Sequence, residues 1–93
     1  MQKSLMEKSG LSSMIEKINS ISNREDFIEF LKNLATDYTD NNDAWENKTI
    51  PDYLEQISSW IEDYAVSPAN DIAWENVDFQ ILARMLYMGK IYE

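Results

Sequence analysis

Ala44-Trp45-Glu46-Asn47 returns as Ala73-Trp74-Glu75-Asn76, 29 positions later, and each copy leads into an apolar segment at helical spacing. At that offset Thr49 falls on Asp78, Ile50 on Phe79, Tyr53 on Leu82, Leu54 on Ala83 and Ile57 on Leu86. The match fades where Trp60 falls on Gly89 and Ile61 on Lys90. Stacked helical repeats need three or more copies to bury a continuous core, and only two are visible here, so the pattern reads as a pseudo-repeat inside one domain. The fold it predicts is all-α: a compact bundle of about four helices carrying a two-copy Ala-Trp-Glu-Asn loop-plus-helix unit.

In both copies the Trp lies four residues before a residue suited to cap a helix, Thr49 or Asp78. A ring just ahead of a cap can pack back on the first turn, much as a hydrophobic staple does. Glu46 and Glu75 then lie near a helix N-terminus, where a negative charge is favoured by roughly 0.3–1 kcal/mol. Under this reading both rings are largely buried. The functional alternative is that the two loops present a recognition surface, since loops carry function and Trp is enriched in binding hot spots. Its candidate partner-binding residues are Asp40, Asp43, Trp45, Glu46, Asp71, Trp74 and Glu75.

Ninety-three residues predict a single domain, 1–93, with residues 1–12 open to fraying around Gly10. Apolar residues are 44% and aromatics 12%, enough to fold despite the charge. Two glycines and two prolines leave few turn residues for hairpins, which favours helices. With no cysteine there is neither a disulfide nor a thiol nucleophile, and with no histidine the commonest general base and transition-metal ligand is missing. The first residues lack the apolar run of a secretory signal, and no segment approaches a membrane span, so a soluble cytoplasmic protein is expected.

The net charge of −9 is unevenly placed. Residues 1 to 36 hold five acids and five bases, residues 37 to 78 eleven acids and one base, Lys48, and residues 79 to 93 two bases and one acid. Such a field disfavours nucleic acid and anionic membranes and speeds encounter with a basic protein.

Along the chain, Leu11, Met14, Ile15 and Ile18 predict a short helix from about 13 to 20, with Ser13 and Glu16 in a capping-box relation. Ser22 and Glu25 form a second such box before a helix from about 23 to 38 bearing Phe27, Phe30, Leu31, Leu34 and Tyr38. Thr49 caps the next helix, with Asp52 three positions on and Pro51 in the first turn. Tyr53, Leu54, Ile57, Trp60, Ile61 and Tyr64 form its apolar stripe. A loop over 65 to 76 leads to a final helix, 79 to 92, apolar nearly all round, which is either central in a bundle or part of a homodimer interface. Phe27, Phe30, Leu31, Leu34, Leu54, Ile57, Trp60, Ile61, Leu82 and Leu86 are expected to share a core.

The acids Asp37, Asp40, Asp43 and Glu46 do not fit an EF-hand: counted from Asp37, the glycine position is Asn42 and the terminal glutamate position is Lys48. Adjacent carboxylates Glu62-Asp63 point about 100° apart on a helix, so they read as a charged exterior rather than an acid–base pair. No P-loop, nucleophile elbow or zinc spacing occurs, and no cofactor or metal is expected.

The succession Arg24-Glu25-Asp26-Phe27, Phe30-Leu31, Trp45-Glu46-Asn47, Tyr53-Leu54-Glu55, Trp60-Ile61-Glu62-Asp63, Trp74 and the closing Ile91-Tyr92-Glu93 resembles a family of small bacterial proteins with a domain of unknown function. The resemblance covers residues 22 to 93, and its most specific parts are the W-E-N and W-I-E-D elements and the terminal Tyr-Glu. It implies a compact bacterial domain and assigns no catalytic or binding residue. The function the residues point to is a non-catalytic protein-binding domain, an immunity or inhibitor protein for a basic partner being one form of it. A structural or dimerising domain is the alternative, and a carboxylate-dependent enzyme comes third.

Overall fold

The computed structural model describes residues 9–93, and the side chains from Met14 onward. It is all-α: the described residues form four α-helices, α1 (Ser9–Asn19), α2 (Arg24–Asp40), α3 (Ile50–Ala65) and α4 (Phe79–Ile91), with no strand among them. Single 3-10 turns at Asn42–Ala44 and Trp74–Asn76 lie in the two long loops. The chain divides into two compact units, Met1–Lys48 and Thr49–Glu93.

In the first unit α1 already runs at Ser9 and includes Gly10. Ser13 therefore lies inside the helix and cannot cap it, which corrects the expected start near 13. Helix propagation adds a hydrogen bond per residue, and that outweighs the roughly 1 kcal/mol that a glycine costs. The part of the fraying expectation that concerns residues 1 to 8 lies outside the described residues.

The cap of α2 is also one residue later than the Ser22–Glu25 box. Asn23 is the N-cap: its Oδ1 accepts from the Asp26 backbone N–H at 2.7 Å. Asp26 Oδ2 reaches back and accepts from the Ser22 N–H at 3.1 Å and from its hydroxyl at 3.2 Å. The reciprocal logic of a capping box survives with Asp26 in the Glu role. Glu25 is left to an exposed 3.5 Å ion pair with Arg24, the kind that contributes little. α1 and α2 border an open depression of about 240 Å³, lined by Lys17 and Ile21 on one side and Asp26, Glu29, Phe30 and Asn33 on the other.

In the second unit both predicted caps are in place. Thr49 Oγ1 accepts from the Asp52 N–H at 3.2 Å, with Pro51 in the first turn where its missing donor costs nothing. Asp78 Oδ1 accepts from the Ile81 N–H at 3.1 Å. Each such cap contributes about 0.5–2 kcal/mol.

No described residue is fully buried. Of the ten residues expected to share a core, Phe27, Phe30, Leu34, Ile57 and Ile61 are half-buried, while Leu31, Leu54, Trp60, Leu82 and Leu86 keep between 41% and 59% of their surface. Within each unit the rings meet along the chain, Phe27 with Phe30 in the first, and Trp60 with Tyr64 and Trp74 in the second. α4 is the extreme case, with every described residue exposed.

Candidate functional site

The first Trp loop is anchored to the end of α2. The Trp45 indole N–H donates to Asp37 Oδ2 at 2.8 Å, and the ring meets Tyr38 edge-on with centroids 5.2 Å apart. Asn41 donates through its side-chain amide to the other Asp37 oxygen at 3.1 Å, so one carboxylate holds both groups. The Tyr38 hydroxyl donates to the Lys48 carbonyl at 3.1 Å and closes the loop just ahead of Thr49. Asp37, which sequence reasoning placed in an acidic run, is thus committed to an indole.

The second loop is anchored through an amide. The Trp74 indole N–H donates to Asn70 Oδ1 at 2.8 Å, and the same oxygen accepts from the Ile72 N–H at 3.4 Å. The Asn70 side-chain amide donates to the Ile72 carbonyl at 3.1 Å. This position therefore uses both an acceptor and a donor, and only a carboxamide of this length supplies the pair. Upstream, the Tyr64 hydroxyl lies 2.8 Å from both the Ala69 carbonyl and Asp71 Oδ1. The hydrogen bond to Asp71 raises the Tyr64 hydroxyl above its ordinary pKa of 10.0, because ionisation would set a phenolate against a carboxylate; slight desolvation and the Asp71 charge act in the same direction.

Around Trp74 four rings are in contact. Trp74 stacks on Phe79 at 6.2 Å and meets Trp60 at 6.5 Å, and Trp60 stacks on Tyr64 at 4.7 Å. Trp74 thus touches the first residue of α4, as a staple would.

Of the sequence-derived candidates, Asp40, Asp43, Trp45 and Glu46 lie in the first unit, and Asp71, Trp74 and Glu75 in the second. Both Trp rings are half-buried, and the five acids are exposed. Asp71 is tied to the ring cluster through Tyr64. Sequence reasoning missed Asp37, Tyr64 and Asn70 as anchors. A signal for Asn70 existed: at the 29-residue offset it falls on Asn41, which also serves a Trp anchor. Among the described residues no three acidic side chains converge as metal ligands, and no helix is long and apolar enough to cross a membrane.

A family model described as a family of unknown function (DUF7660) matches residues 23–93. No match to a curated protein or to a solved structure is found.

Proposed function

We propose, from the premise that this chain belongs to that family of unknown function, that it is a non-catalytic protein-binding domain whose acidic middle segment engages a basic partner. The observation that carries the reading is the state of those acids. Asp40, Asp43, Glu46, Asp71 and Glu75 are all exposed, and among the described residues the one ion pair, Arg24–Glu25, lies outside that segment. Charges that are solvated, with no ion pair among the described residues, can steer an oppositely charged protein and pair with it. The biological form this suggests is an inhibitor or immunity protein that covers a basic surface.

The test is capture by the immobilised chain from its native lysate at low ionic strength. A basic protein should be retained and released by raised salt, and failure to retain any basic protein would count against the reading. A dimerising domain is the second reading, favoured by α4, where Leu86, Tyr87 and Ile91 are each more than half exposed on an apolar helix. A mass that doubles with concentration in light scattering, and stays monomeric in a Leu86→Glu variant, would support that reading instead.

A further inference from the structure

The rings of the second unit do more than brace the Trp74 loop. A four-ring cluster built only to close a core would be covered, yet Trp60 keeps 52% of its surface and Phe79 48%. The polar ends of the two less exposed rings are already engaged, the Trp74 indole by Asn70 and the Tyr64 hydroxyl by Ala69 and Asp71. The two rings of the cluster that stay exposed are Trp60 and Phe79, and one face of Trp60 is stacked on Tyr64. The unit that carries it is acidic: residues 49 to 93 contain eight acids and two bases, Arg84 and Lys90, and residues 49 to 78 alone contain seven acids and no Lys or Arg. The cation–ring contact seen among the described residues lies elsewhere, Lys90 over Tyr87 at 5.5 Å within α4.

We propose that this aromatic cluster is the docking site for an arginine-bearing basic segment of a partner protein, with a guanidinium laid on Trp60 and the carboxylates of the acidic segment, residues 49 to 78, drawing it in. The inference rests on the basic-partner reading and adds to it where contact is made and through which side chain. Exposed π surface attracts cations through the ring quadrupole, most strongly for Trp. Arginine fits better than lysine because its planar, weakly hydrated guanidinium stacks on a ring while keeping donors for carboxylates. An uncharged apolar segment would gain the rings and forgo the acids.

The experiment titrates hexaarginine and hexalysine peptides into the full chain at low ionic strength, measuring affinity and the three indole N–H resonances. Hexaarginine should bind tighter than hexalysine by up to roughly fivefold, the full value of an exposed cation–π contact being the ceiling because an ammonium keeps part of it. It should shift the Trp60 indole more than that of Trp45, whose N–H is held by Asp37. The arginine preference should vanish in Trp60→Leu, with circular dichroism confirming unchanged helix content. Equal affinity for the two peptides, or a preference that survives Trp60→Leu, overturns the aromatic site and leaves the basic-partner reading standing. Binding of neither peptide overturns both. The indole shifts are read on the unaltered chain, so a Trp45 shift equal to that of Trp60 also overturns the proposal whether or not the variant folds.

Discussion

The two Ala-Trp-Glu-Asn copies share a sequence and a downstream cap, yet they hold their indoles differently. In the first, the 3-10 turn precedes the ring, occupying Asn42–Ala44; in the second it begins at the ring, occupying Trp74–Asn76. The cause lies upstream. Nine residues separate Asp40 from Ile50, but thirteen separate Ala65 from Phe79, so α3 stops about one turn earlier relative to its Trp than α2 does. The last turn of α2 can thus offer Asp37 to Trp45, whereas the position matching Asp37 in the second copy is Val66, which has no acceptor. The second loop supplies its own, Asn70. A repeated motif fixes which group must be anchored; the length of the preceding helix decides what anchors it.

The largest expected effect comes from removing the rings themselves. Trp74 contacts Trp60 and Phe79 as well as Asn70, so Trp74→Ala should cost about 2–3 kcal/mol, below the range for a fully buried ring because this one is only partly buried. Trp45→Ala should cost less, about 1–2 kcal/mol. Chemical denaturation followed by circular dichroism measures both. Equal losses would mean that the two loops are energetically alike despite their different anchors.

Next come the anchors. Asn70→Ala removes an acceptor for two donors and a donor for Ile72, and should destabilise by about 1–2 kcal/mol. The revealing pair is the exchange of chemistry. Asp37→Asn keeps an acceptor for the Trp45 indole and gives up the one for the exposed Asn41 amide, which can turn or solvate, and should cost about 0.5–1 kcal/mol, while Asn70→Asp keeps the acceptor for Trp74 but loses the donor to Ile72 and should cost more. Should Asn70→Asp prove the milder change, the amide donor would not be what the second loop needs.

What was legible in the sequence follows the same division between local and distant causes. Thr49 and Asp78 were readable as caps because a cap is decided within four residues. The α2 cap was misplaced by one because Ser22 and Asn23 are both competent, and the choice rests on which of Glu25 and Asp26 reaches back. Neither the register of the 3-10 turns nor the roles of Asp37 and Asn70 could be read. They depend on where α2 and α3 end, and helix ends lack a residue as decisive as the N-cap. The ring cluster escaped for a related reason: a stripe of Trp60 and Tyr64 reads as core, and only the contacts with Trp74 and Phe79 show a half-exposed face.

The repeat also predicts a gain. Trp60 of the first copy corresponds to Gly89 of the second, inside α4, and a Cβ built on Gly89 meets nothing within 4 Å. Gly89→Ala should stabilise the protein by about 0.5–1 kcal/mol, by lowering the entropy of the unfolded chain and removing a poor helix former. A thermal midpoint unchanged or lowered would show that α4 does not tolerate the methyl group, and so that something covers that side of it.

The smallest effect is confined to alkaline pH and to one loop. At the 29-residue offset Tyr64 falls on Ala35, so among the described residues the tyrosine–carboxylate hydrogen bond belongs to the second loop; in the first, Tyr38 donates to a backbone carbonyl. The Asp71 hydrogen bond raises the Tyr64 pKa above 10.0, which means the folded state holds that proton more tightly than the unfolded chain does. A raised pKa contributes stability that is fully present below the unfolded value and is lost as pH rises through the folded one. Stability should therefore be flat with respect to this group below pH 10.0 and should fall above it as the phenolate forms opposite Asp71. The difference in tyrosinate absorbance between the wild type and Tyr64→Phe isolates one of the five tyrosines, and should show an ionisation above that pH that is displaced downward in Asp71→Asn. Because the hydroxyl is open to solvent, the loss should remain small, visible as a loosening of Trp74 fluorescence before any loss of helix. An ionisation of Tyr64 at or below pH 10.0 would mean that Asp71 does not hold the hydroxyl in solution, leaving the Ala69 carbonyl as its partner and Asn70 as the anchor of the Trp74 indole.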